Sequence, residues 1–192
     1  SSEPSAPVAS APIADSPAPP SILAAEQRRH ASEIKLDDQS SRDVSVRRAA
    51  ARALARIASP GARAGLLKAL ADEDPIVVAW AAYGLGASCE IARSDTVSAL
   101  AARSVSLPSE PPGQAPSALE WIARGIGRCG ADESEPTLFA WLSRSPREAR
   151  AAALGLVDLA RRKKRLVDAT IASLLNLAAG SPSTPSVPEA MV

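Results

Sequence analysis

Aromatic side chains are nearly missing from this sequence: one phenylalanine, one tyrosine and three tryptophans among 192 residues. The 46% hydrophobic content is mostly alanine, which favours helices, whereas the aromatic and β-branched residues that cover pleated surfaces are scarce. An all-β fold is excluded and an all-α fold expected. Neither sign of charge dominates, with 22 Lys and Arg against 21 Asp and Glu, which argues against a strongly basic nucleic-acid binder. No apolar run approaches the ~18 residues that span a bilayer. One histidine, His30, and two cysteines, Cys89 and Cys129, are too few for a closed zinc site of about four ligands. They imply no disulfide framework either. Lysine supplies four of the 22 basic residues, a bias ascribed to GC-rich codons.

Proline is plentiful but unevenly placed: of 17, six fall in residues 1–20 and three in 181–192. Residues 1–20 are expected to be an unstructured Ala/Pro/Ser-rich leader of the kind that often follows a removed secretory or lipoprotein signal. Residues 181–192 are expected to be a flexible tail or truncated linker, and 21–180 the folded part.

Within that part the sequence repeats. DVSVRRAAARALA (43–55) aligns with DPIVVAWAAYGLG (74–86) at an offset of 31. The latter aligns with APSALEWIARGIG (115–127) at 41, and a fourth copy, SPREARAAALGLV (145–157), follows at 30, its Arg150 leaving the register open by one residue. The ten extra residues before the third copy fall in the proline-rich stretch SLPSEPPGQA, read as a loop insertion. Shorter amphipathic segments at 61–71, 95–105, 133–143 and 165–178 alternate with the copies. The unit is a helix pair of about thirty residues that cannot bury its apolar face alone and must stack on its neighbours. A capping helix is expected over 21–36.

The pattern of Asp43, Val46, Arg47, Ala50, Ala51, Ala53 and Leu54 resembles the short HEAT repeat, the type first noted in phycobilin lyases, over roughly residues 43–178. The resemblance implies an all-α, right-handed solenoid of about four helix pairs, lined by second helices on its concave side and binding protein rather than catalysing a reaction. Val78 and Leu119 replace the family's arginine, so no continuous Asp–Arg ladder is expected. The leader, the run VVAWAAYGLG and the open C-terminal end look like the N-terminal arm of multidomain bacterial envelope proteins in which HEAT repeats precede a cyclophilin-type peptidyl-prolyl isomerase. On that likeness the partner is another protein or the chain's own C-terminal domain, and the place is the cell envelope or periplasm, with the cytoplasm the alternative. A lyase role like that of the phycobilin enzymes has no residue constellation behind it, and nucleic acid ranks low as a partner.

On the second helices, the i, i+4, i+8 rows are Arg48, Arg52 and Arg56; Ala79, Tyr83 and Ala87; Glu120, Arg124 and Arg128; and Arg150, Leu154 and Asp158. Stacked side by side, they form a basic strip with one exposed tyrosine. The candidate partner-binding residues are therefore Arg48, Arg52, Arg56, Tyr83, Glu120, Arg124, Arg128 and Arg150, because arginine and tyrosine are strong interface anchors. Trp80 and Trp121 are expected in the core, each indole lying over the glycine four residues on, and Trp141 likewise in the core. The run Arg161–Arg165 caps a helix C-terminus, where cations are favoured. His30 is expected on the surface, without a Ser/Asp constellation around it. No catalytic residue, metal or cofactor is expected. Cys89 and Cys129 fall at near-equivalent repeat positions, about 10 Å apart centre to centre, so the disulfide is expected only if the loops bend together.

Overall fold

The computed structural model describes residues 18–107, 117–163 and 165–180. Most of the leader, most of the proline-rich insertion, Lys164 and the tail lie outside the described residues. Those described form helices α1 (Pro20–Arg28), α2 (Leu36–Gln39), α3 (Val44–Ile57), α4 (Arg63–Leu70), α5 (Pro75–Ala87), α6 (Arg93–Val105), α7 (Ala118–Cys129), α8 (Ser134–Leu142), α9 (Pro146–Lys163) and α10 (Asp168–Gly180). The fold is an all-α solenoid. The four repeat copies are α3, α5, α7 and α9, and α4, α6 and α8 are the first helices packed on the last three of them.

Local chemistry sets the helix starts. Asp43 caps α3 through the Ser45 amide, Asp74 caps α5 through the Ile76 and Val77 amides, and Ser117 caps α7. Each satisfies amides that the first helical turn leaves unpaired. Pro75 stands at the first position of α5, where its missing N–H removes nothing. The capping segment differs from expectation. Helix α1 already begins at Pro20 and ends at Arg28, because Arg29 adopts a left-handed conformation at φ 58°. A short 3₁₀ turn and α2 then complete it, so the first pair is irregular and Ala18, expected in the leader, packs on the core. His30 is exposed and hydrogen-bonded to Glu33.

The stacking contact repeats with the sequence. A Cβ built on Gly84 would lie 2.7 Å from the Cα of Ala55; one on Gly86, 2.5 Å from the Cα of Gly125; one on Gly127, 2.0 Å from the carbonyl oxygen of Gly155. Ala55, Gly86 and Gly127 are equivalent under the offsets 31 and 41, and Gly84, Gly125 and Gly155 under 41 and 30. The same two positions therefore meet at every step, which also fixes the register of the fourth copy. Leucines of the first helices, Leu66, Leu100 and Leu138, all fully buried, fill the remaining side of Gly84, Gly125 and Gly155. This corrects the expectation for the indoles: the open side of each glycine is taken by neighbouring backbone and a leucine.

Curvature follows from the same asymmetry. Successive second helices pack along their lengths, whereas α4 and α6 barely meet. A stack tighter on one side bends toward it, so the free faces of α3, α5, α7 and α9 line the concave surface. At the C-terminal end α10 packs on α8 and leaves Ile171 and Leu175 exposed.

One rung of the Asp–Arg ladder exists. Arg47 donates to Asp72 at 2.8 and 3.2 Å, and Arg48 to Asp74 at 3.0 and 2.7 Å. It is not continued, because Val78 and Leu119 are buried apolar residues. Burial works to raise the Asp74 pKa, but hydrogen bonds from Arg48 and from the Val77 and Ile76 amides outweigh it and hold the carboxyl below its ordinary value of 3.8. A carboxylate with a depressed folded pKa contributes its stability in full above the unfolded value, and that contribution is lost as pH falls through the folded one. Arg48→Ala is therefore expected to lower the unfolding free energy by about 2 kcal/mol at neutral pH, the size of charge-assisted bonds to a partly buried carboxylate. Urea titrations should show this gap closing as pH falls below the ordinary carboxylate range and through the depressed Asp74 pKa.

Candidate functional site

Three of the five aromatic residues gather on the concave face. The Tyr83 ring stands edge-on to Trp80, 5.9 Å away at 88°, and to Trp121, 5.1 Å away at 90°. Trp80 and Tyr83 are one turn apart on α5, and Trp121 comes from α7, so the cluster exists only because the two second helices stack in register. With Arg56 and Ala79 the rings line an open cleft of about 420 Å³. All three rings are half-buried. The two tryptophans thus depart from the expected core placement: they lie on the flank of the buried stripe and face the groove. Trp141 is buried as expected.

Arginines surround the rings. The Arg128 guanidinium lies 5.2 Å from the centroids of both Tyr83 and Trp121, and that of Arg124 lies 5.3 Å from Trp121. At these separations the cations are attracted to the ring faces. The strip is not bare positive charge, however. Asp158, buried on α9, pairs with Arg128 at 3.4 Å, Arg161 at 3.5 Å and Arg124 at 4.0 Å. Glu26 of α1 pairs with Arg56 at 2.7 Å and Arg52 at 4.0 Å. Five arginines therefore share two carboxylates. Arg48 is committed to Asp74 and holds the α5 cap, and Arg150 reaches Glu120 at 3.4 Å from an exposed position, a kind of pair that contributes little.

Of the sequence candidates, the structure brings Tyr83, Arg124 and Arg128 together around the rings, places Arg52 and Arg56 beside them through Glu26, and leaves Arg48, Glu120 and Arg150 in ion pairs at the margins. Sequence reasoning missed Trp80, Trp121, Glu26 and the pairing role of Asp158. Trp80 stands three residues before Tyr83 and Trp121 three before Arg124, spacings that put each pair on one face. That signal was available for the rings. None pointed to Glu26, whose approach depends on the broken first helix.

Cys89 and Cys129 form a disulfide with their Cα atoms 5.6 Å apart, both buried. The two cysteines stand closer than the usual spacing of stacked repeats because the Gly86–Gly125 contact brings α5 and α7 together at backbone distance near their C-terminal ends. The bond ties the short 3₁₀ turn that follows α5 to the last residue of α7, at the ends of the two helices that carry the rings. Among the described residues, no group of His, Cys, Asp and Glu is placed to hold a metal ion, and no helix is long and apolar enough to cross a membrane.

A solenoid of stacked helix pairs whose second helices meet through small residues is a helical-repeat architecture. Residues 36–108 match the family model for HEAT repeats. No curated protein and no solved structure matches the chain.

Proposed function

We propose that this chain is a non-catalytic HEAT-repeat scaffold that binds another protein, or another part of its own chain, on the concave face of its second helices. The observation that carries the reading is the gathering of Trp80, Tyr83 and Trp121, half-buried and ringed by arginines, on one face of a chain otherwise almost without aromatics. Tryptophan, tyrosine and arginine clustered in a partly dry recess are the residues that dominate binding energy at interfaces. The disulfide across α5 and α7 supports a rigid, preorganised cleft. It also supports an oxidising compartment such as the bacterial cell envelope, because buried disulfides persist there and are rare in reducing cytosol.

Site-specific photo-crosslinking tests the reading. A benzophenone side chain placed at Tyr83 should give discrete protein adducts in the native extract, and one placed at the exposed Phe139 on α8 should not. Equal adducts from the two positions would remove the concave face as the binding surface.

A further inference from the structure

The reading above leaves the partner's chemistry open, and the inference here rests on that reading. The cleft excludes one class at once. Aromatic recesses often take cations, but here Arg128 and Arg124 already lie over the rings and Arg56 lines the opening, so an incoming cation meets like charge. Among the described residues, Arg52 and Arg56 pair with Glu26, and Arg124 and Arg128 share Asp158 with Arg161. That surplus of guanidinium suits a ligand bearing carboxylates, which arginine can hold with paired hydrogen bonds.

The rings specify the rest. Among the described residues, the Tyr83 hydroxyl and the two indole N–H groups of Trp80 and Trp121 make no hydrogen bond to the protein, and none is sealed from solvent. Tyrosine and tryptophan polar atoms at buried or interfacial sites usually find partners. Three such groups standing beside a shallow apolar recess suit a ligand rich in carbonyl oxygens. A polyproline II segment has that character: it has no internal hydrogen bonds, so its carbonyls are free, and its stiff backbone loses little entropy on docking. Compact proline rings pack against aromatic steps of this kind, whereas an α-helix uses its carbonyls internally along its length and frees them only in its last turn. The perpendicular arrangement of Tyr83 against both indoles gives such a stepped surface.

We propose that the cleft of Trp80, Tyr83, Trp121 and Arg56 docks an extended, proline-containing segment of a partner protein that carries Asp or Glu beside its prolines. The test is calorimetric titration of the full chain with a synthetic twelve-residue peptide containing two prolines three positions apart, flanked by glutamates. Two companion peptides carry glycine for each proline, or lysine for each glutamate. The expected Kd is on the order of 10–100 μM, rising at least about tenfold with either companion and weakening with added salt. Tyr83→Phe, which removes one hydroxyl and should leave the fold intact, is expected to raise Kd about fivefold, and Arg56→Glu about tenfold. Trp121→Ala should abolish binding, with circular dichroism checking that the helices persist. Equal affinity for the glycine companion, tighter binding of the lysine companion, or no heat at 1 mM peptide would each overturn the proposal. If the peptide fails while a benzophenone at Tyr83 still captures protein, the ligand class falls and the binding face stands; if crosslinking fails as well, both fall.

Discussion

Replacing Gly127 by alanine is expected to lower the unfolding free energy by about 3 kcal/mol, the upper end of what overpacking costs. In an ordinary helix interior the same change stabilises by roughly 1 kcal/mol, since alanine is the best helix former and glycine among the poorest. The sign reverses here because the new methyl would sit 2.0 Å from the Gly155 carbonyl oxygen and 3.2 Å from the Leu159 amide nitrogen. Backbone cannot turn aside as a flexible side chain can, so α7 and α9 must part and lose contact along their lengths. Gly61→Ala is the internal control: its nearest neighbour is the Ser59 hydroxyl at 3.8 Å, and the change should stay within about 0.5 kcal/mol of zero. Urea denaturation of both variants measures the difference. A neutral Gly127→Ala would mean that the second helices are not in backbone contact.

Loss of the disulfide should have an effect of similar size. Cys89 and Cys129 are 40 positions apart, and closing a loop of that length removes denatured-state entropy worth about 4 kcal/mol by the chain-entropy relation. The variant with both cysteines replaced by alanine, or the wild type under reductant, is expected to lose most of that stability in a urea titration. The melting temperature should drop by roughly 10 °C for a domain of this size. Because the bond ties the turn after the Tyr83 helix to the end of the Trp121 helix, reduction should also weaken binding in the cleft. A chain equally stable with and without reductant would exclude the bond and remove the support it gives to an exported location.

Much of this fold was legible in the sequence. The alignment of Asp43 with Asp74, and of Gly84, Leu85 and Gly86 with Gly125, Ile126 and Gly127, sets the offsets that the interhelical contacts then obey. Proline and acidic caps mark where helices begin. The first pair was less legible, since a left-handed turn at Arg29 is not encoded by glycine. The site was legible only in part: Tyr83, Arg124 and Arg128 meet around the rings, while Arg48, Glu120 and Arg150 stand in ion pairs at the margins. Its character was not, because helical spacing gives the direction of a side chain and not its counterion. Glu26 and Asp158 approach the arginines across helix boundaries, and what looked like a basic strip is an aromatic recess rimmed by shared ion pairs. Apolar residues at helical spacing are usually core, but Trp80 and Trp121 lie at the edge of the buried stripe, half-buried and open to the groove.

The claim on which everything rests is that stacked, equivalent second helices bring Trp80, Tyr83 and Trp121 into one cluster. The chain has a single tyrosine, so proton Overhauser contacts from its ring can be assigned without ambiguity. The account predicts contacts from Tyr83 to two indoles, that of Trp80 on its own helix and that of Trp121 on the next. Contacts to Trp80 alone would contradict it.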